Sequence, residues 1–124
     1  MMHMRSFRAS PAAVAEARAY ANEWMQGSSP RVAEVVELLV SELASNAVTH
    51  AATPFTISVQ RDEEQTRVEV SDTGDAQPCV RPPNPLAVNG RGLQLLGALA
   101  DSWGVEPSET GKTVWFLLGT QPDS

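Results

Sequence analysis

The sequence is poor in the residues that staple or metallate a small protein. It has one cysteine, Cys79, and two histidines, His3 and His50, among 124 residues. A lone thiol forms no internal disulfide and no multi-Cys zinc site, and two histidines supply no metal-ligand set. A reducing cytoplasm is therefore the expected location. Basic residues are also scarce: nine Lys plus Arg stand against fifteen Asp plus Glu, a formal net charge of −6. With a sequence pI near 4.8 and no Lys/Arg cluster, the electrostatic footprint of a nucleic-acid binder is missing, so direct nucleic-acid contact is not expected. No apolar run approaches the ~18 residues of a membrane span, and Met1-Met2-His3-Met4-Arg5 leads into no signal-peptide core. Neither membrane insertion nor export is expected. What is present is 42% apolar residues, enough at this length to build one core that buries roughly two-thirds of the unfolded surface. One domain over residues 1–124 is the expectation.

Ser10-Pro11 reads as an N-cap with proline at the first helical position, and Val14, Ala17, Ala21, Trp24 and Met25 recur at helical spacing, predicting a helix from Pro11 to Gln26 ended by Gly27. Met4-Arg5-Ser6-Phe7-Arg8 alternates weakly ahead of it, as a short edge strand does. A second and longest helix follows Gly27-Ser28-Ser29-Pro30 and runs to about Ala51, where Thr53-Pro54 stops it. Phe55, Ile57 and Val59, then Val68 and Val70, alternate with polar residues as two strands of a hairpin around Arg61-Asp62-Glu63-Glu64-Gln65. From Gly74 to Gly90 periodicity vanishes and prolines gather, which predicts a long functional loop, a lid over about 75–89. A short helix from Gly92 to about Ala100, with Leu93, Leu96 and Leu99/Ala100 inward, precedes a closing hairpin: strands Trp103–Glu106 and Thr113–Leu118 around a turn at 107–111. Hairpin-joined strands with helices gathered on one side predict an α+β two-layer sandwich with a mixed, mostly antiparallel sheet.

Some polar residues disobey this pattern. At 100° per residue, Val32, Val35, Leu39 and Leu43 point within about 80° of one another, and Glu42, Asn46 and His50 point the same way. Glu34, Glu37, Ser41 and Ser45 already supply a solvated side. A carboxylate and an amide directed inward need partners. Glu42 and Asn46, at i and i+4, lie over one patch where a metal-bound ligand could meet them; they equally fit a local pairing and a hydrogen bond to the sheet. His50 reads as a structural histidine. Asp72-Thr73-Gly74 presents a carboxylate at a strand end, as a plain turn would; aspartic proteases share the tripeptide but need two cooperating carboxylates, from a second copy or a symmetric dimer, and the surrounding helices and proline-rich loop argue against that setting. Gly90-Arg91-Gly92-Leu93 opens a helix whose N–H groups suit an anion, or is an ordinary loop-to-helix junction. It is no Walker P-loop, and Gly111-Lys112-Thr113 is too short to be one.

Taken in order, these segments resemble a known family. Glu42-Leu43-Ala44-Ser45-Asn46-Ala47-Val48-Thr49-His50 resembles the N-box of the GHKL ATPase/kinase superfamily, the Bergerat-fold group of gyrase, the large heat-shock chaperones, histidine kinases and MutL. Asp72-Thr73-Gly74 resembles its adenine-contacting D-x-G box, Gly90-Arg91-Gly92-Leu93 its second glycine box, and Gly111-Lys112-Thr113-Val114-Trp115-Phe116 its closing strand. The resemblance spans about residues 10 to 118. The short form is most similar to RsbW-type anti-sigma-factor serine/threonine kinases and to short actinobacterial ATP-binding regulators.

The resemblance implies ATP and Mg²⁺ as cofactors. It implies that Asn46 holds Mg²⁺ as a neutral oxygen donor, that Asp72, Gly74 and Thr113 serve the adenine edge, and that Gly90, Arg91, Gly92 and Leu93 serve the phosphates. Glu42 is the implied general base for phosphoryl transfer to a hydroxyl, a reaction that rests mainly on positioning and charge stabilisation. A sigma factor and an anti-anti-sigma STAS-domain protein are the implied partners, and a homodimer is compatible with the family. The chain departs from the family at Ala76, where a further glycine often stands, and the preceding Asp75 brings negative charge that a Mg²⁺ ion offsets. Two other functions fit the same residues: a catalytically inactive, nucleotide-gated protein-binding regulator, and a detached histidine-kinase catalytic domain, which lacks a phosphoacceptor helix here.

Overall fold

Ser10 and Ser29 both stand in extended backbone directly before a proline, and both start a helix. Proline suits the first helical position because its missing N–H has no intrahelical partner there. The structure is a computed structural model that describes residues 2–51, 53–72, 90–108 and 111–119, with side chains for all of these except 50, 51, 90–93 and 108. Helix α1 is Pro11–Glu23 and helix α2 is Pro30–Asn46. The Ser29 hydroxyl accepts from the Val32 N–H at 3.2 Å, while Ser10 makes no such bond. α1 ends before the expected Gln26: the chain leaves the helix at Trp24 and turns through Gly27 at φ +87°, a left-handed conformation that glycine adopts without a Cβ clash. The second helix does continue towards Ala51, but its last turn, Ala47–Ala51, is π-helical.

Five strands complete the fold: β1 Met2–Phe7, β2 Phe55–Arg61, β3 Gln65–Asp72, β4 Ser102–Ser108 and β5 Gly111–Gly119. Helix α3, Gly90–Leu99, begins two residues earlier than its pattern suggested. The sheet order is β1-β2-β3-β5-β4, and every neighbouring pair is antiparallel rather than mixed. The closing hairpin is tighter than a five-residue turn, because Ser108 already pairs with Gly111. The expected lid at 75–89 lies outside the described residues.

One sheet face carries the core. Phe7, Phe55, Ile57, Val59, Val68, Val70, Val114, Phe116 and Leu118 are buried under the helices. α2 buries more than the predicted stripe of Val32, Val35, Leu39 and Leu43: Val36, Val40 and Ala44 are fully covered as well. Helix α1, where Ala13, Ala17 and Ala21 form a buried row at i, i+4 spacing, packs against α2 in the same core. Small side chains let the two helix axes approach closely. The other sheet face has no helix over it among the described residues. There the Arg67 guanidinium lies 4.6 Å from the Trp115 ring centroid and its Nε donates to Glu69 at 2.8 Å. Trp115 lies across Gly104, where an added Cβ would come within 2.7 Å of the indole.

Candidate functional site

Sheet register decides which polar side chains meet. On β3, Val68 and Val70 face the helices, so two residues on, at the strand end, Asp72 faces the same way. Opposite Asp72 on β5 is Lys112, and opposite Val70 is Val114. The Lys112 ammonium donates to Asp72 Oδ2 at 2.8 Å. The pair is largely enclosed, with side chains 18% and 7% exposed. The helix side of this corner is supplied by the last turn of α2. Asn46 is 5% exposed despite its amide, and it lines a small depression, open to solvent, together with Leu43, Ala47, Val70, Asp72, Lys112 and Val114. Directly after Asn46 the helix widens into its π turn, a local irregularity often met at functional sites.

The structure thus brings together Asn46 and Asp72, which the sequence keeps far apart. It does not bring Thr113 to them. Thr113 pairs with Ser71, on the opposite sheet face, and their hydroxyls are hydrogen bonded at 2.8 Å. The residue one position earlier, Lys112, occupies the pocket wall instead. Strand parity carries that signal in the sequence, since Lys112 shares the parity of Val114, Phe116 and Leu118. Glu42 lies one helical turn before Asn46 and is half-buried, but it does not line the pocket. Gly90, Arg91 and Gly92 form the first turn of α3, which leaves N–H groups without intrahelical acceptors. α3 ends beside the start of β4, where the Asp101 N–H donates to the Leu117 carbonyl at 2.9 Å. That junction is at the far end of the sheet from Lys112. Gly74 lies outside the described residues, as do Asp75 and Ala76.

An ammonium, a carboxylate and an amide meet there beside the apolar side chains of Leu43, Ala47, Val70 and Val114. Among the described residues no three His, Cys, Asp or Glu cluster as a metal site. No helix there is long and apolar enough to cross a membrane.

Comparison with known proteins bears on the fold and the family. The sequence pattern of the histidine kinase-like ATPase domain matches residues 7–118. Among solved structures, the RsbU and RsbW domains of Rv1364c from Mycobacterium tuberculosis superpose with a TM-score of 0.75 at 17% sequence identity, over 98% of this chain and 33% of that one. The chain therefore spans about a third of the solved protein it resembles. A search of curated proteins gave no significant match.

Proposed function

The chain belongs to the histidine kinase-like ATPase domain family, and from that premise we propose that it binds MgATP at the Asn46–Asp72 pocket and acts as an anti-sigma factor. In this reading it phosphorylates a serine or threonine of an anti-anti-sigma STAS partner, and the phosphorylation state of that partner decides whether the sigma factor is released. The observation that carries the reading is the convergence of Asn46, from the end of α2, and Asp72, from the end of β3, on one pocket. These are the two side chains that the family resemblance assigns to the metal and to the base. The RsbW domain of the similar solved structure supports the regulatory part.

The residues fit the group. Asp72 is a strand-end carboxylate with Oδ1 available for an exocyclic amino group, while Oδ2 accepts from Lys112. Asn46 offers a neutral oxygen, suited to a hard cation that takes its other ligands from phosphate and water. The backbone N–H groups at the start of α3 favour anionic phosphates. Bound MgATP supplies the phosphoryl group and the charge neutralisation; Glu42, on the same helix face as Asn46, orients and deprotonates the acceptor hydroxyl. The test is transfer of label from ATP to a STAS protein. Label on a serine or threonine, abolished in Glu42→Ala with ATP binding retained, supports the kinase. Tight ATP binding without transfer to any candidate substrate removes it.

One observation favours a second reading. Glu42 does not line the pocket that Asn46 and Asp72 share, as in a regulator where nucleotide only sets partner affinity. Such a protein shows ATP-dependent partner binding that Glu42→Ala leaves unchanged.

A further inference from the structure

Strand β1 lies at the edge of the sheet. It pairs with β2, and no described strand pairs with its other side. Such an edge presents a row of backbone N–H and C=O groups that another extended chain can continue. Its side chains divide by face. His3, Arg5 and Phe7 stand opposite the buried Val59, Ile57 and Phe55, whereas Met2, Met4 and Ser6 stand opposite the uncharged Gln60, Ser58 and Thr56 on the other sheet face. Three large hydrophobic side chains are exposed among the described residues, and two of them are Met2 and Met4, at 52% and 60%. The opposite face of the strand carries charge. Arg5 is exposed, with its guanidinium 4.9 Å from the Phe7 ring centroid and 5.9 Å from that of Tyr20. Arg8, directly after the strand, is exposed as well. The ion pairs among the described residues include neither arginine. The first carboxylate in the sequence is that of Glu16, so this edge is basic within a chain of net charge −6.

That pattern selects one kind of occupant. A strand added to β1 sets successive side chains on alternate faces, so those beside Met2 and Met4 meet apolar surface and those beside Arg5 meet a cation. A second copy of β1 brings further arginines and no carboxylate to the same edge, and like charges set across a strand pair are destabilising. We infer that the free edge of β1 is a docking site for an extended segment of a partner protein in which apolar and acidic residues alternate, held by strand addition. None of the pocket residues takes part, so the nucleotide reading stands or falls separately.

The experiment is fluorescence anisotropy of a labelled peptide of alternating valine and glutamate, titrated with the full chain in the absence of nucleotide. The peptide binds, its affinity falls as salt is added, and the same peptide with lysine for glutamate does not bind. Arg5→Glu, which puts repulsion where attraction was, weakens binding by about tenfold. N-methylation of alternate peptide residues separates strand addition from diffuse attraction, since only one edge of the peptide pairs with β1: one methylated set loses binding and the complementary set keeps it. That comparison uses wild type and does not depend on how Arg5→Glu folds. No binding of the glutamate peptide, equal binding of the lysine peptide, or two methylated sets that behave alike overturns the inference. So does a wild-type dimer in sedimentation velocity that dissociates in Arg5→Glu, because the edge then belongs to a second copy.

Discussion

The two ends of the sheet are built from the same helices and strands yet handle polar groups in opposite ways. At the end where α1 finishes and α2 starts, polar groups are spent on closing the chain. Arg61, at the end of β2, donates to the carbonyls of Trp24 and Gln26 at 3.0 and 2.7 Å. Ser29 caps α2, and His3 stacks on Trp24 with ring centroids 3.5 Å apart. Asp62 ties its hairpin by accepting from the Glu64 and Gln65 N–H groups at 2.7 and 2.8 Å. At the other end Asn46, Asp72 and Lys112 gather around a pocket instead. One end uses charge to fix backbone; the other holds charge where a ligand can reach it. The closed end should therefore govern stability and the open end binding.

The sharpest way to break that division is at the closed end. Leu118, fully buried opposite Thr66, leaves a cavity when changed to alanine. Leu118→Ala should cost about 2–5 kcal/mol in denaturant unfolding, a large part of the stability of a domain this size. Arg61→Met keeps much of the side chain's apolar stem and removes two charge-assisted bonds. A loss of about 1–3 kcal/mol is expected with MgATP affinity unchanged; a weakened affinity would mean that the two ends are coupled. Asp72→Asn, at the open end, should reverse the pattern. The isosteric amide still accepts from Lys112, so stability falls by about 1 kcal/mol, while binding of MgATP is lost. The smallest effect is a pH dependence. The Glu64 and Gln65 N–H groups hold the Asp62 carboxyl below its ordinary range. A depressed native pKa adds stability that is present above the unfolded value, near 4, and is lost as pH falls through the native one. Asp62→Asn should flatten that acid slope and leave neutral-pH affinity untouched, as read by thermal unfolding between about pH 2 and 5.

The sequence made the closed end and the sheet legible because they rest on local rules. Ser-Pro pairs mark both helix starts, and Phe55-Ile57-Val59 with Val68-Val70 mark the central hairpin. Asn46 stood out because an amide on an apolar helix face needs a reason, and it is indeed buried. What escaped was set by tertiary context. Val36, Val40 and Ala44 are buried in the same core cluster as Ala13, Ala17 and Ala21 of α1, which packs against α2. The π turn after Asn46 leaves no mark in hydrophobic periodicity. Thr113 was the expected partner of Asp72, but cross-strand register turns it to the other sheet face and turns Lys112 inward. A shift of one residue flips a strand side chain, and here it exchanges a hydroxyl for an ammonium at the pocket.

The most direct measurement is thermal unfolding of wild type and Asp72→Asn with and without saturating MgATP. A ligand that binds only the native state at about a hundred times its Kd stabilises by about 2.7 kcal/mol. Wild type should show that rise in melting temperature, and Asp72→Asn, folded in its own right, should show none. No shift in wild type, or the same shift in both proteins, would contradict a nucleotide site at the open end.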